Sequence, residues 1–411
     1  MNEMPSAPGS LRARMFGLTW LSYFSYYFTR KNYSIVKSSL GLAKSELVIV
    51  ETAFSAAYAL GQFVNGALAD VLGPRRLVAC GMILSALMAT LFGLSSTLPL
   101  FVIAYGLNGL FQASGWPGNG KVMAAWFSSR ERGEIMGYWG TCYQVGGIAA
   151  GASATFLLGQ WGWRSAQFGP ALWVAVVGVA YFLWVVDTPS DRGYADPDVE
   201  PGLSLVARRE LRRRAWPLVL KNPMTWFMGA NYFCMKMMRY SLIFWLPYYL
   251  EKGLGYGKGA AGYMSISFEV GGVMGVIGAG LLADRVFGRR RIAVAAVMTA
   301  GLACAMALHV YLGATSMWVT IASVALIGAL LFGPDSIVSG AVSQDLGGPH
   351  AAALACGLIN GLGSLGAVFQ GFMVAYVSHE YGWEALFKVF LVLAVIATAT
   401  LLPFFWVRPK D

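Results

Sequence analysis

The sequence predicts an all-α membrane protein of twelve transmembrane helices in two pseudo-symmetric six-helix halves. Three observations carry that reading. Of 411 residues, 57% are hydrophobic and only 12% charged, about half the charge of a soluble domain. A water-soluble globule of this size could not cover its surface with so few charges. The 50 glycines exceed the ordinary usage of about 7%, and small residues let membrane helices approach closely. Apolar runs long enough to cross the hydrocarbon core, which takes about 20 residues, recur along the whole chain. A soluble enzyme, a disordered chain and a disulfide scaffold are excluded by the same composition.

The runs fall at 13–36, 47–71, 76–95, 98–127, 132–159 and 165–187, then at 223–251, 259–285, 290–312, 316–342, 350–378 and 383–407. Between the sixth and seventh lies the longest polar interval, with Pro189, Pro197, Pro201 and the basic run Arg208 to Arg214. The expected organisation is a first half at 1–187, a linker at 188–222 and a second half at 223–411. With both termini and the linker placed in the cytoplasm, the cytoplasmic loops hold nineteen basic residues and the opposite loops five. That positive-inside bias sets the orientation in a plasma membrane, the inner membrane in a bacterium. It also accounts for most of the formal charge of +10 through the lipid bilayer, with no nucleic acid. The residues before the first run show no cleavable signal peptide, so that run is expected to stay in the protein. Cys80, Cys142, Cys234, Cys304 and Cys356 lie in apolar segments without pairing or metal spacing and read as packing residues. No metal and no cofactor are expected.

An internal repeat supports the division. GALADVLGPRR (Gly66 to Arg76) and GLLADRVFGRR (Gly280 to Arg290) share G-x-L-A-D and a closing Arg pair, and their aspartates, Asp70 and Asp284, are 214 residues apart. Each copy follows an apolar run. The aspartate stands at a helix end, and the pairs Arg75–Arg76 and Arg289–Arg290 occupy short loops. Such charge contacts can latch one conformation and release in another. The motif, between spans two and three and again between eight and nine, resembles the signature of the major facilitator superfamily. That resemblance implies two six-helix halves with a solute site at the midplane.

Charges inside spans cost about 2.5–3.5 kcal/mol each and by default mark function. Arg30 and Lys31 lie in SYYFTRKNYS of span one; Lys236 and Arg239 lie in CMKMMRYSLIFW of span seven. The arginines are 209 residues apart, close to the repeat offset, so the pseudo-symmetry relates them and places both at a central cavity. Guanidinium forks match phosphate or carboxylate oxygens. The nearby acids are Glu269 in span eight and Asp335 in span ten, with Glu51 near a span end. Four bases against Glu269 and Asp335 leave two positive charges, which a dianion such as a phosphate ester balances. Lys31 and Glu269 suit a pair within the protein. Tyr23 and Tyr27 share part of the Arg30 face, Tyr58 and Gln62 are an i, i+4 pair on span two, and Tyr143 with Gln144 lies on span five; these suit a polar organic solute or interhelical hydrogen bonding.

YYFTRKNYS, GWPGNGK, FSSRERG, SFEVGG and FGPDS resemble the organophosphate:phosphate antiporter family, which carries glycerol-3-phosphate, hexose phosphates and glucose-6-phosphate and includes sugar-phosphate sensors. The resemblance implies that Arg30 and Arg239 bind phosphate and that Tyr23, Tyr27 and Tyr58 line the cavity. It places Lys31 and Glu269 in the interhelical charge network, beside Lys236 and Asp335. Three positions depart from the family: its span-two lysine is Gln62, the span-five histidine of the glycerol-3-phosphate branch is Tyr143, and the acid five residues after the span-seven arginine is Phe244. Phosphate recognition is kept; the organic part of the solute is left open.

The leading expectation is a secondary transporter that exchanges a small organophosphate for inorganic phosphate by alternating access, working as a monomer. A proton-coupled organic-anion symporter using Glu269 or Asp335, and a membrane sugar-phosphate sensor, stay open. An enzyme is not expected, because no nucleophile–base pair, metal set or phosphate-cradling loop is present.

Overall fold

The computed structural model describes residues 5–128, 131, 135–136, 138–197, 217, 219–288 and 290–407, without the side chains at 63, 66–67, 70, 284, 341, 344 and 347–354. The side chains of Asp70 and Asp284, Arg289 as a whole, and the basic run at 208–214 therefore lie outside the described residues. Chain contacts divide the protein into two compact units, Met1–Pro201 with Lys258–Tyr263, and Gly202–Gly257 with Met264–Asp411.

In the first unit the opening span is two helices, α1 (Gly9–Tyr26) and α2 (Phe28–Val36), jointed at Tyr27. The joint is a tightened turn, with the Tyr27 N–H bonding to Phe24 O at 3.3 Å and the Arg30 N–H to Tyr27 O at 3.2 Å. α3 (Lys44–Leu72) follows, and α4 (Pro74–Leu94) starts on a proline, where the missing N–H costs nothing. α5 (Leu98–Gln112) and α6 (Gly115–Trp126) share the fourth run; α7 (Thr141–Trp161) and α8 (Ser165–Trp184) complete the unit.

Continuous helices were the expectation for runs one and four, and the structure breaks both. The break in run four has a backbone cause. Pro117 has no N–H to give to the carbonyl of residue 113, and the Ser114 N–H turns to Phe111 O at 3.2 Å instead of reaching Leu110. Two amides on α3 take up both carbonyls: Gln62 Nε2 donates to Ala113 O at 3.4 Å and Asn65 Nδ2 to Leu110 O at 3.1 Å. Gly61 makes the approach possible, since a Cβ there would stand 2.9 Å from Leu110 O. This is how a membrane helix tolerates proline, through donors from a neighbouring helix.

The second unit holds α9 (Pro223–Tyr248), α10 (Lys258–Arg285), α11 (Arg291–Leu312), α12 (Met317–Ser336), α13 (Ser343–Glu380) and α14 (Gly382–Leu401). Asn222 caps α9 through Met224 N–H at 3.0 Å. A π-helical turn, Ile337–Val342, follows α12; such turns often accompany functional sites. α10 and α12 pack backbone to backbone. Side chains at Gly271, Gly275 or Gly328 would collide with the carbonyls of Ala325, Ala329 and Phe268. α9 packs on α13 and α14.

Among the described residues, seven helices are long and apolar enough to cross a membrane: those at Pro74–Leu94, Ser165–Trp184, Lys258–Ala283, Arg291–Leu312, Met317–Gly340, Ala355–Glu380 and Gly382–Phe404. Leu60, Val71, Leu94, Leu172 and Trp318 are exposed while Arg30, Lys31, Glu51, Lys236, Arg239, Glu269 and Asp335 are buried. Apolar outside and charged inside is the arrangement that a hydrocarbon solvent selects.

Candidate anion site

α2 places Arg30 in the interior of the first unit, 4% exposed. Its guanidinium carbon lies 4.8 Å over the Tyr27 ring, 4.8 Å over Tyr58 and 5.9 Å over Phe54. The ring faces supply negative potential without a negative charge. Arg30 Nε donates to Gln112 Oε1 at 2.9 Å. Gln112 is held in turn: its Nε2 donates to Thr29 Oγ1 at 3.0 Å and Asn108 Oδ1 at 3.2 Å. Asn108 Nδ2 donates to Thr29 O at 2.8 Å, and Ser85 Oγ donates to Asn108 Oδ1 at 2.5 Å. The Nε edge of the guanidinium is thus locked by a buried network from α2, α4 and α5. Tyr105 ties its hydroxyl to Arg30 O at 3.0 Å.

The aromatic wall continues from there. Tyr23 meets Tyr27 edge-on at 6.2 Å, Trp116 at 5.5 Å and Trp139 at 5.4 Å. Of the residues expected at the site, Tyr23, Tyr27, Tyr58 and Arg30 come together. Gln62 spends its amide on the Ala113 carbonyl, and half-buried Tyr143 packs on the core around Tyr23 and Trp139. Lys31 is buried in α2.

In the second unit Arg239 Nη1 meets Asp335 Oδ2 at 2.6 Å, both nearly excluded from solvent. The guanidinium carbon lies 5.2 Å over Phe332 and 5.4 Å over Tyr240. The sequence reading left both arginines to an external anion; for Arg239 the structure supplies an internal one, because α12 brings Asp335 to α9. Lys236, one turn before Arg239, is held by Asn360 and Ser364 of α13. Glu269 is buried on α10.

Sequence reasoning missed Gln112, Asn108 and Thr29, since a neutral polar residue in an apolar run carries little signal. Lys37, just past the end of the first run, is one of the five basic residues that the sequence assigns to the loops opposite the cytoplasm. Lys37 is instead fully buried, 2.5 Å from equally buried Glu51.

The sequence matches the Major Facilitator Superfamily over residues 15–371, with a second match over 232–411. The chain belongs to the major facilitator superfamily. It is 30% identical to a Chlamydia trachomatis protein named "Probable hexose phosphate transport protein", over 95% of this chain and 90% of that one. It is 29% identical to the glycerol-3-phosphate transporter of Bacillus subtilis, over 96% and 93%. With the glucose-6-phosphate exchanger of Mus musculus it shares 28% over 92% and 89%. The fold is that of solved transporters. A bacterial homolog of the human lysosomal transporter Spinster, inward-facing and occupied, superposes with a TM-score of 0.76 at 15% identity, over 97% of each chain. The D-xylose–proton symporter gives 0.76 at 14%, over 97% and 98%. This member of the superfamily is a multi-pass membrane transporter.

The repeated loop motif can be described in part. Gly73 has φ +80° and Gly288 φ +54°, conformations that glycine adopts without strain. A Cβ on Gly73 would stand 2.5 Å from Asp187 Oδ2. That carboxylate accepts the Arg75 N–H at 2.7 Å, while Arg75 Nε donates to Phe182 O at 2.5 Å. The first motif copy therefore clips the start of α4 to the end of α8. Burial raises the Asp187 carboxyl above its ordinary value, opposed by the Arg75 N–H bond. Arg76 is exposed. In the second copy Arg290 lies 5.4 Å over Trp406, and the neighbouring Arg291 pairs with Asp345 at 2.8 Å.

Proposed function

We propose that this superfamily member exchanges a small organophosphate for inorganic phosphate, with Arg30 and Arg239 binding the phosphate. One observation carries the reading. Among the described residues the buried charges are Arg30, Lys31, Lys37, Lys236 and Arg239 against Glu51, Glu269 and Asp335. Two positive charges remain, and a phosphate dianion balances them. The named relatives, which handle hexose phosphate, glycerol-3-phosphate and glucose-6-phosphate, favour the same solute class. Arg30 is suited to the task because its ring and amide neighbours hold the guanidinium in place in the interior of the first unit. Binding removes the excess charge and so lowers the cost of the conformational change, which couples flux to a bound anion.

The test is phosphate counterflow in proteoliposomes loaded with unlabelled phosphate. Labelled phosphate is expected to enter only against internal phosphate. Arg30→Lys should lower the exchange rate by at least about tenfold, the order of one lost charge-assisted hydrogen bond. Uptake by Arg30→Lys at the wild-type rate and equal protein would sink the assignment.

The reading extends to an orientation with both termini and the 188–222 linker in the cytoplasm of a plasma membrane, to a working monomer, and to halves at 1–187 and 223–411. A fluorescent protein fused after Asp411 should fold and fluoresce in bacterial cells; a dark fusion beside an active alkaline phosphatase fusion would reverse the orientation.

The Arg239–Asp335 pair favours a second reading, proton-coupled uptake, because an incoming anion competes with Asp335 for the guanidinium and a proton can neutralise the displaced carboxylate. Uptake driven by an imposed pH gradient without internal phosphate would select it.

A further inference from the structure

The amides that hold Arg30 have a single orientation that satisfies their partners. The Arg30 Nε–H can only donate, so the atom that meets it at 2.9 Å is the carbonyl oxygen of Gln112. The other end of that side chain is then an NH2, which needs acceptors. Asn108 Oδ1 at 3.2 Å and Thr29 Oγ1 at 3.0 Å supply them. Asn108 is fixed in the same way. Its Nδ2 faces the Thr29 carbonyl at 2.8 Å, an acceptor with no proton to give, so its oxygen turns to Gln112 and to Ser85. Ser85 Oγ, which gives its proton to Asn108, accepts from Thr29 Oγ1 at 3.0 Å.

Both ends of this chain of bonds lie on α2. Thr29 supplies the acceptor at one end, and Arg30, the next residue, is the donor at the other; α5 carries the two amides between them, at i, i+4. Thr29, Ser85, Asn108 and Gln112 are each at most 1% exposed, so their bonds have the strength of a low-dielectric interior. Gln112 is also the last residue of α5, beside the joint whose carbonyls Gln62 and Asn65 hold. The break that interrupts the fourth run therefore sets where this amide stands. An amide oxygen orients a guanidinium and adds no negative charge; in the second unit a carboxylate, Asp335, meets Arg239 instead.

We propose that Gln112, oriented by Asn108 and Thr29, is a positioning residue, which holds the plane of the Arg30 fork for an incoming phosphate without touching the anion itself. This rests on the phosphate reading above. A bond at Nε stops the guanidinium from turning about Cδ–Nε. The planar match to phosphate oxygens is then set before the anion arrives, and less side-chain freedom is lost on binding.

The test is a double-mutant cycle read by equilibrium binding of inorganic phosphate to the purified full-length protein. Gln112→Leu should weaken binding at least about fivefold, the order of one hydrogen bond to a charged group. Arg30→Lys should weaken it at least about tenfold. In the double variant the two losses should not multiply: its affinity should fall within about twofold of Arg30→Lys alone, because Gln112 acts only through the fork. A merely structural role predicts losses that multiply, or no loss from Gln112→Leu, and either result overturns the positioning. If Gln112→Leu does not yield monodisperse protein, Thr29→Val replaces it, since it removes one of the two acceptors that orient Gln112. It should weaken binding about threefold, and Thr29→Ser should restore it; an unchanged affinity in Thr29→Val then counts against the positioning. Phosphate binding that responds to Arg30→Lys and not to Gln112→Leu faults the positioning alone. Wild-type protein that binds no phosphate, or binding that Arg30→Lys leaves unchanged, faults the phosphate reading and the positioning with it.

Discussion

Lys37 and Glu51 show what a buried charge demands of its neighbours. Neither side chain touches solvent, the ion pair is 2.5 Å long, and the Lys37 ammonium lies 5.0 Å over the Tyr33 ring. Removing one partner strands the other, at about 3–5 kcal/mol. Lys37→Met and Glu51→Gln should each lower the thermal unfolding midpoint of the solubilised protein sharply. The double variant Lys37→Met/Glu51→Met should recover most of that loss, and a double variant no better than the singles would refute the pairing. The sequence exposed Arg30, Lys236, Arg239, Glu269 and Asp335 because charge inside an apolar run is conspicuous. It hid Lys37, which stands just past such a run and looks like loop, and it hid Gln112, whose role depends on where α5 packs. It could not show that Asp335 meets Arg239, because 96 residues separate them.

At the scale of elements, the α5–α6 joint depends on side chains from a different helix. Asn65→Leu leaves Leu110 O without its Asn65 donor in an apolar setting, at about 1–3 kcal/mol. It should reduce the yield of folded protein more than Asn65→Gln, which keeps an amide; equal yields would count against the backbone role. The clip between α4 and α8 makes a pH prediction. Because the folded Asp187 carboxyl titrates above its unfolded value, the folded state binds that proton more tightly than the unfolded chain does. Its contribution favours folding at low pH and is lost as pH rises through the folded value. Asp187→Asn should therefore flatten part of the fall in thermal stability as pH rises above the ordinary carboxylate range, from about pH 4; an unaltered pH profile would contradict it. Hydropathy located the helices well, since it sums side chains. It missed both joints, since those arise from backbone carbonyls and one proline.

Over the whole molecule, the repeat at Asp70 and Asp284 and the twelve apolar runs made the superfamily legible before any coordinate. The nature of the cargo was less so. It depends on the burial and pairing of each charged residue, which a sequence does not carry. The joint at Tyr27 adds a mechanical element to this account. α2 is a rod of nine residues, about 13 Å long, with Arg30 near its start at Tyr27 and Lys37 just past its far end. A tilt of about 5° at Tyr27 would carry the far end through about 1 Å. Arg30 and the buried Lys37–Glu51 pair thus sit at the two ends of one rigid element, so a displacement beside Arg30 would reach that ion pair enlarged.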